Sequence, residues 1–242
     1  MSTKRAAVIQ NANSYDLVIC PKSISRLLAL AVALLIGLDL FRILLRYTAG
    51  LDRPMAFINV TWEQNLPSWF STLLLAFVAV LLAVNAAITF RRGDRFRWQW
   101  AILTAGFTAM SLDEATSLHE RLNGMLARFH LLEAQLNYPW VIVALPFVVV
   151  LGLMFLKFVI HLPPASRRGF VLAGLIYVGG AVIVETIWSA VVLHVDRGSP
   201  ISQLLRTVEE TMEMGGASLF IVVLLRHIAR ELPDTAIRIA AR

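Results

Sequence analysis

Apolar runs close to the length of a bilayer crossing constrain this chain before anything else does. A spanning helix needs about 20 mostly apolar residues. Runs of this kind recur at Ile24–Leu45, Ser68–Phe90, Trp98–Leu112, Tyr138–Ile160, Phe170–Leu193 and Leu204–Leu225. In lipid each backbone N–H and C=O must be satisfied within its own segment, so such runs become helices. Composition agrees: 58% of the 242 residues are hydrophobic and 16% are charged, where soluble proteins average about 45–50% and about 25%.

The expected fold is all-α: a single domain over residues 1–242, a bundle of about six transmembrane helices. The third run is short, but from Ser111 onward no glycine or proline interrupts the chain before Gly124. Its helix is therefore expected to run from residue 98 to about 126, beyond the membrane. Pro67 marks a start for the second helix, Pro139 suits the first turn of the fourth, and Pro146 lies deep enough to kink it. The first apolar run follows a polar stretch and exceeds a signal-peptide core, so it is expected to stay as the first helix. The single cysteine, Cys20, rules out an intramolecular disulfide.

Orientation follows from lysine and arginine. Fifteen of the 22 fall in the N-terminal segment, the 91–97 loop, the 157–168 turn and the C-terminal tail; seven fall in the alternate segments. Both termini are therefore expected on the cytoplasmic side of a multi-pass protein in a bacterial cytoplasmic membrane. The net charge of +6 sits in short clusters between apolar runs, which suits anionic lipid headgroups. The expected partners are the lipid bilayer and membrane proteins, including further copies of the chain, and not nucleic acid.

The acids run the other way. Ten of sixteen lie in the outer segments, and Asp39 and Glu185 lie inside spans. Topology does not require this, because Asp and Glu contribute little to orientation.

Three elements carry the outer acids. In Ser111–Leu122, Asp113, Ser117 and Glu120 fall within one arc of a continuous helix at 100° per residue. Thr116 flanks that arc, His119 stands further round, and Glu114 points elsewhere. The second element, Glu209–Ala217, opens the last span with Glu209, Glu210 and Glu213 at i, i+3 and i, i+4 spacings that repel. Third is Glu185, an ionisable residue within an otherwise apolar run, where such residues mark function.

Carboxylates from several helices with one imidazole match a metal site in a bundle. The expected ligands are Asp113, His119, Glu120, Glu185, Glu209 and Glu213, with Glu63, Glu114, Thr116, Ser117 and Glu210 as supporting or alternative ligands. Asn123 stands where a zincin needs its second histidine, and Thr116 where a di-iron Glu-x-x-His motif needs glutamate. With oxygen donors dominant, Fe, Mn, Ca or Mg fit as the divalent metal better than Zn.

Plainer readings stand beside these. Asp113–Glu120 reads as a solvated helix end, Glu209 and Glu210 as acids favoured by a helix N-terminus, and Glu185 as half of an ion pair with Arg42 or Arg206. Asp39 and Arg42, one turn apart, read as a structural ion pair, and Trp62, Trp69, Trp98, Trp100 and Trp140 as interfacial anchors. His130, His161, His194 and His227 lie near span ends and read as interfacial. Function ranks in order: a metal-binding membrane protein, foremost a metal-dependent enzyme acting on a lipid or lipid-borne substrate; a cation or proton transporter; a non-catalytic subunit or scaffold of a membrane complex.

Overall fold

A computed structural model describes residues 16–17, 20–51, 53–118, 121, 140–231 and 237–238. These residues are almost wholly helical. Helix α1 is Pro21–Ala49, α2 Leu66–Arg92, α3 Arg97–Thr116 and α4 Trp140–His161. Helix α5 is Pro164–Val191 and α6 Pro200–Glu231. Four of them, α1, α2, α5 and α6, are long and apolar enough to cross a membrane.

Local chemistry sets the ends. Pro21 opens α1, where its missing N–H costs nothing. Asn65 and Ser68 cap α2 reciprocally, each side chain accepting from the other's backbone N–H at 3.2 and 3.1 Å. Gly50 and Gly93 close α1 and α2 at φ of 67° and 70°, a conformation that costs glycine little.

Helix α6 is the most buried of the four and packs against α1, α2 and α5, while α3 lies along α2. Val78, Leu82, Ile221 and Leu224 are sealed at the centre. Leucines such as Leu27, Leu30 and Leu34 stay exposed on α1, which suits a face turned to lipid. Helices α5 and α6 meet through glycine. A Cβ on Gly216 would stand 2.7 Å from the Tyr177 backbone nitrogen, and one on Gly180 would stand 2.9 Å from the Glu209 carbonyl. Small residues of this kind let membrane helices approach closely.

Before α1 and after α6, Asp16–Leu17 pairs antiparallel with Ile237–Arg238. The two terminal segments thus lie together at one end of the bundle, called proximal below; the opposite end is distal.

The structure corrects several expectations. Helix α3 stops at Thr116, because Ser117 turns left-handed (φ 54°) and its N–H bonds the Asp113 carbonyl at 2.7 Å. Helical backbone resumes at Leu118 and at Arg121, so the one continuous helix expected from residue 98 to about 126 is broken at Ser117. Helix α6 begins at Pro200, four residues before the expected Leu204. Trp100 is 3% exposed; it stacks on His227 with centroids 5.2 Å apart and meets Phe158 and Phe170 edge-on. It is a core residue and not an interfacial anchor. His227 is likewise buried, with Nδ1 3.0 Å from the Ser166 hydroxyl. By contrast Trp62, Trp69 and Trp98 are exposed.

Candidate functional site

The helix ends determine which acids enter the bundle. Because α6 starts at Pro200, Glu209 sits in its third turn and Glu213 in its fourth, beyond reach of the helix N-terminus, whose field fades within one turn. Glu209 is 3% exposed. The reading of Glu209 and Glu210 as N-terminal helix acids therefore fails. On α5 the helix widens at Gly179–Val184 into one π turn, where the Glu185 N–H reaches back to the Gly180 carbonyl. Glu185, just past that turn, is 5% exposed.

These side chains meet at a cavity of about 470 Å³. Its distal wall carries Glu63 from the loop before α2, Asp113 and Glu114 from α3, Glu185 from α5, and Glu209, Glu210 and Glu213 from α6. One arginine, Arg206, joins these seven carboxylates among the lining residues. Its Nη1 donates to Glu209 Oε1 at 2.7 Å, and its guanidinium lies 5.1 Å from the Trp188 ring. Trp188 in turn donates its indole N–H to the Ser202 hydroxyl at 2.8 Å. Arg206 is thus placed by its neighbours on two helices. Seven carboxylates held on one buried wall raise one another's cost of ionisation, which nearby cations or protons lower.

Toward the proximal end the lining turns apolar: Leu103 and Phe107 on α3, Leu151 on α4, Ala173 and Gly174 on α5, and Phe220 on α6. Helix α4 makes this lobe possible. Its proximal residues Phe155 and Phe158 are buried, whereas Leu145, Phe147, Val149, Val150, Leu153 and Met154 are 49–67% exposed. Phe147 is both a lining residue and 63% exposed. Along its inward face Val148 and Leu151 are only partly buried and line the cavity, so the cavity lies under the distal part of α4, which also meets α5 at Gly179–Val184.

A second network holds the Glu63 loop. Asp39 accepts from Arg42 Nε at 2.8 Å, from the Thr207 hydroxyl at 2.8 Å and from the Val60 N–H at 3.3 Å. Arg42 also donates to Gln203 at 2.9 Å. The expected Asp39–Arg42 ion pair is present, fully enclosed.

Of the expected ligands, Asp113, Glu185, Glu209 and Glu213 line the cavity, together with Glu63, Glu114 and Glu210. Glu114 does not point elsewhere; it faces the cavity with Asp113. Thr116 and Ser117 are not among the lining residues: the Thr116 hydroxyl donates back to the Leu112 carbonyl at 2.7 Å, and Ser117 closes the helix. His119 and Glu120 lie outside the described residues. Among the described residues, no three His, Cys, Asp or Glu side chains stand close enough together to ligate one metal ion. The apolar lobe, Tyr177 and Arg206 were not among the expected site residues. Only Arg206 carried a sequence signal, its i, i+3 spacing to Glu209.

A family model described as "Domain of unknown function (DUF8692)" matches residues 27–228, which takes in the greater part of every helix and all seven carboxylates. No curated protein and no solved structure matches the chain.

Proposed function

The chain belongs to that family, and we propose that it is a cation-binding protein of the membrane, with its binding cavity at the level of the outer leaflet. In this reading it is a single domain of about six spans with both termini cytoplasmic, in a bacterial cytoplasmic membrane. One observation carries it: seven carboxylates and one arginine share the wall of one cavity. Intramembrane acids are expensive and persist where an ion, proton or substrate passes or binds. Among inorganic ions, an oxygen-dominated donor set favours Ca, Mg, Mn or Fe over Zn.

A transporter reading is weaker, because buried polar groups of the proximal half bond one another, as Ser166 and His227 do, or their own helix. Asn85 returns its amide to the Leu81 carbonyl at 2.9 Å, and Thr89 bonds the Asn85 carbonyl at 3.0 Å. Below the acids the cavity ends on Phe170 and Phe220.

Thermal unfolding in detergent tests the proposal. Mn²⁺, Ca²⁺, Mg²⁺ and tetramethylammonium are titrated separately. At least one should stabilise the wild type by mass action, and Glu185→Gln and Glu213→Gln should lose most of that gain. Equal responses from wild type and both variants, or no response to any cation, would favour a scaffold in a membrane complex.

A further inference from the structure

We infer that the cation taken by this cavity is the head of an amphiphile: an ammonium-type group on a single alkyl chain, entering sideways from the bilayer. This rests on the cation-binding reading and names its ligand class.

The first observation is the division of the cavity. Acids occupy its distal wall and the apolar lobe continues beneath them without interruption. From Asp113 to Leu103 the wall follows α3 for ten residues, about 15 Å at the helical rise. A volume near 470 Å³ falls within the roughly 300–1,000 Å³ typical of small-molecule sites. An inorganic ion needs none of the apolar part.

The second is how the acids are spread. They come from the loop before α2 and from α3, α5 and α6, and among the described residues no three stand together. An ammonium head is satisfied by hydrogen bonds and by charge at longer range. Tyr177 and Trp62 also line the cavity, and aromatic faces attract organic cations.

The third is a polar atom left over. Ser71 is 8% exposed, and its hydroxyl has no hydrogen-bond partner. It faces a niche shared with Glu114, Tyr177 and Glu213, all of which also line the main cavity. The niche, about 10 Å³, has room for one water at most, which would satisfy Ser71 and relay to a head group held by Glu114 and Glu213.

Access follows from α4. Phe147 both lines the cavity and is exposed, so a chain already in the leaflet reaches the lobe at its side without leaving lipid. Gly174 keeps that lobe clear, since a Cβ there would meet no atom within 4 Å.

The test uses the full chain in phosphatidylcholine nanodiscs with two photoreactive probes of equal length: a hexadecylamine and a hexadecanoic acid, each carrying a diazirine on the chain. The amine should label lobe residues of α3, α4 and α5, and the acid should not. Labelling by the amine should fall about tenfold in Glu213→Gln, the effect of losing one charge-assisted hydrogen bond. It should also fall in Gly174→Leu, which fills the lobe and leaves every acid in place. Equal labelling by the two probes, or amine labelling confined to the lipid-facing side of α1, overturns the inference. If small cations still stabilise the protein in a Glu213-dependent way under that outcome, the inference alone fails; if they do not, the cation reading fails with it.

Discussion

Asp39 and Thr207, 168 residues apart in the chain, are joined at 2.8 Å between carboxylate and hydroxyl at the α1–α6 contact. Asp39 holds Arg42 with its other oxygen, so one acid ties two helices and one buried cation. Asp39→Asn would leave the Arg42 guanidinium enclosed without a counter-charge, a loss of about 3–5 kcal/mol for broken buried pairs. Thr207→Val removes one neutral donor and should cost about 1 kcal/mol. Thermal unfolding in detergent should rank wild type, Thr207→Val and Asp39→Asn in that order. An Asp39→Asn protein as stable as wild type would rule out this role.

Two glycines on neighbouring helices should respond in opposite ways. Gly216→Ala pushes a Cβ to 2.7 Å from the Tyr177 backbone nitrogen, and backbone cannot give way as a side-chain tip can. Separating α5 from α6 there should cost about 1–3 kcal/mol, in the range of overpacked cores. Gly174→Ala meets open space and gains up to about 1 kcal/mol from helix propensity. Paired melting curves check both, and a stable Gly216→Ala would show that the close approach is not needed.

Cys20 is exposed at the start of α1. The Ser23 backbone N–H, then the Ser23 hydroxyl, hold its thiol below the ordinary value. A lowered value means that the thiolate persists to lower pH, so maleimide should react faster than with an unperturbed thiol at equal pH. As the only cysteine, it also reports sidedness. A membrane-impermeant maleimide should leave intact cells unlabelled and label inverted vesicles. Labelling of intact cells would place the N-terminal segment outside.

The helices were legible because apolar length fixes them: the expected runs at 24–45 and 68–90 lie within α1 and α2. The acidic cavity was legible in part. Helical spacing put Glu209 and Glu213 together, and an isolated charge in an apolar run singled out Glu185. Ser117 was not legible, because a non-glycine residue at positive φ leaves no mark in composition. Trp100 could not be distinguished from Trp98 by its distance from a span end; only packing against Phe158 and His227 separates them. The apolar lobe was out of reach for a similar reason. It depends on how closely the inward face of α4 packs at each level, and that face is apolar at Val148 and Leu151 as at Phe155 and Phe158.

The π turn at Gly179–Val184 has a consequence in phase. Tyr177 and Glu185 are eight residues apart, which on regular winding would set them about 80° round from each other. A wide turn absorbs one residue, so the pair behaves as if seven apart, two full turns, and both look into the same space. Glu185 is therefore aimed by a miscount in the helix. Shortening α5 by one residue within 179–184 would remove the miscount and keep the aim, whereas inserting one alanine after Val184 would swing the carboxylate about 100° out of line.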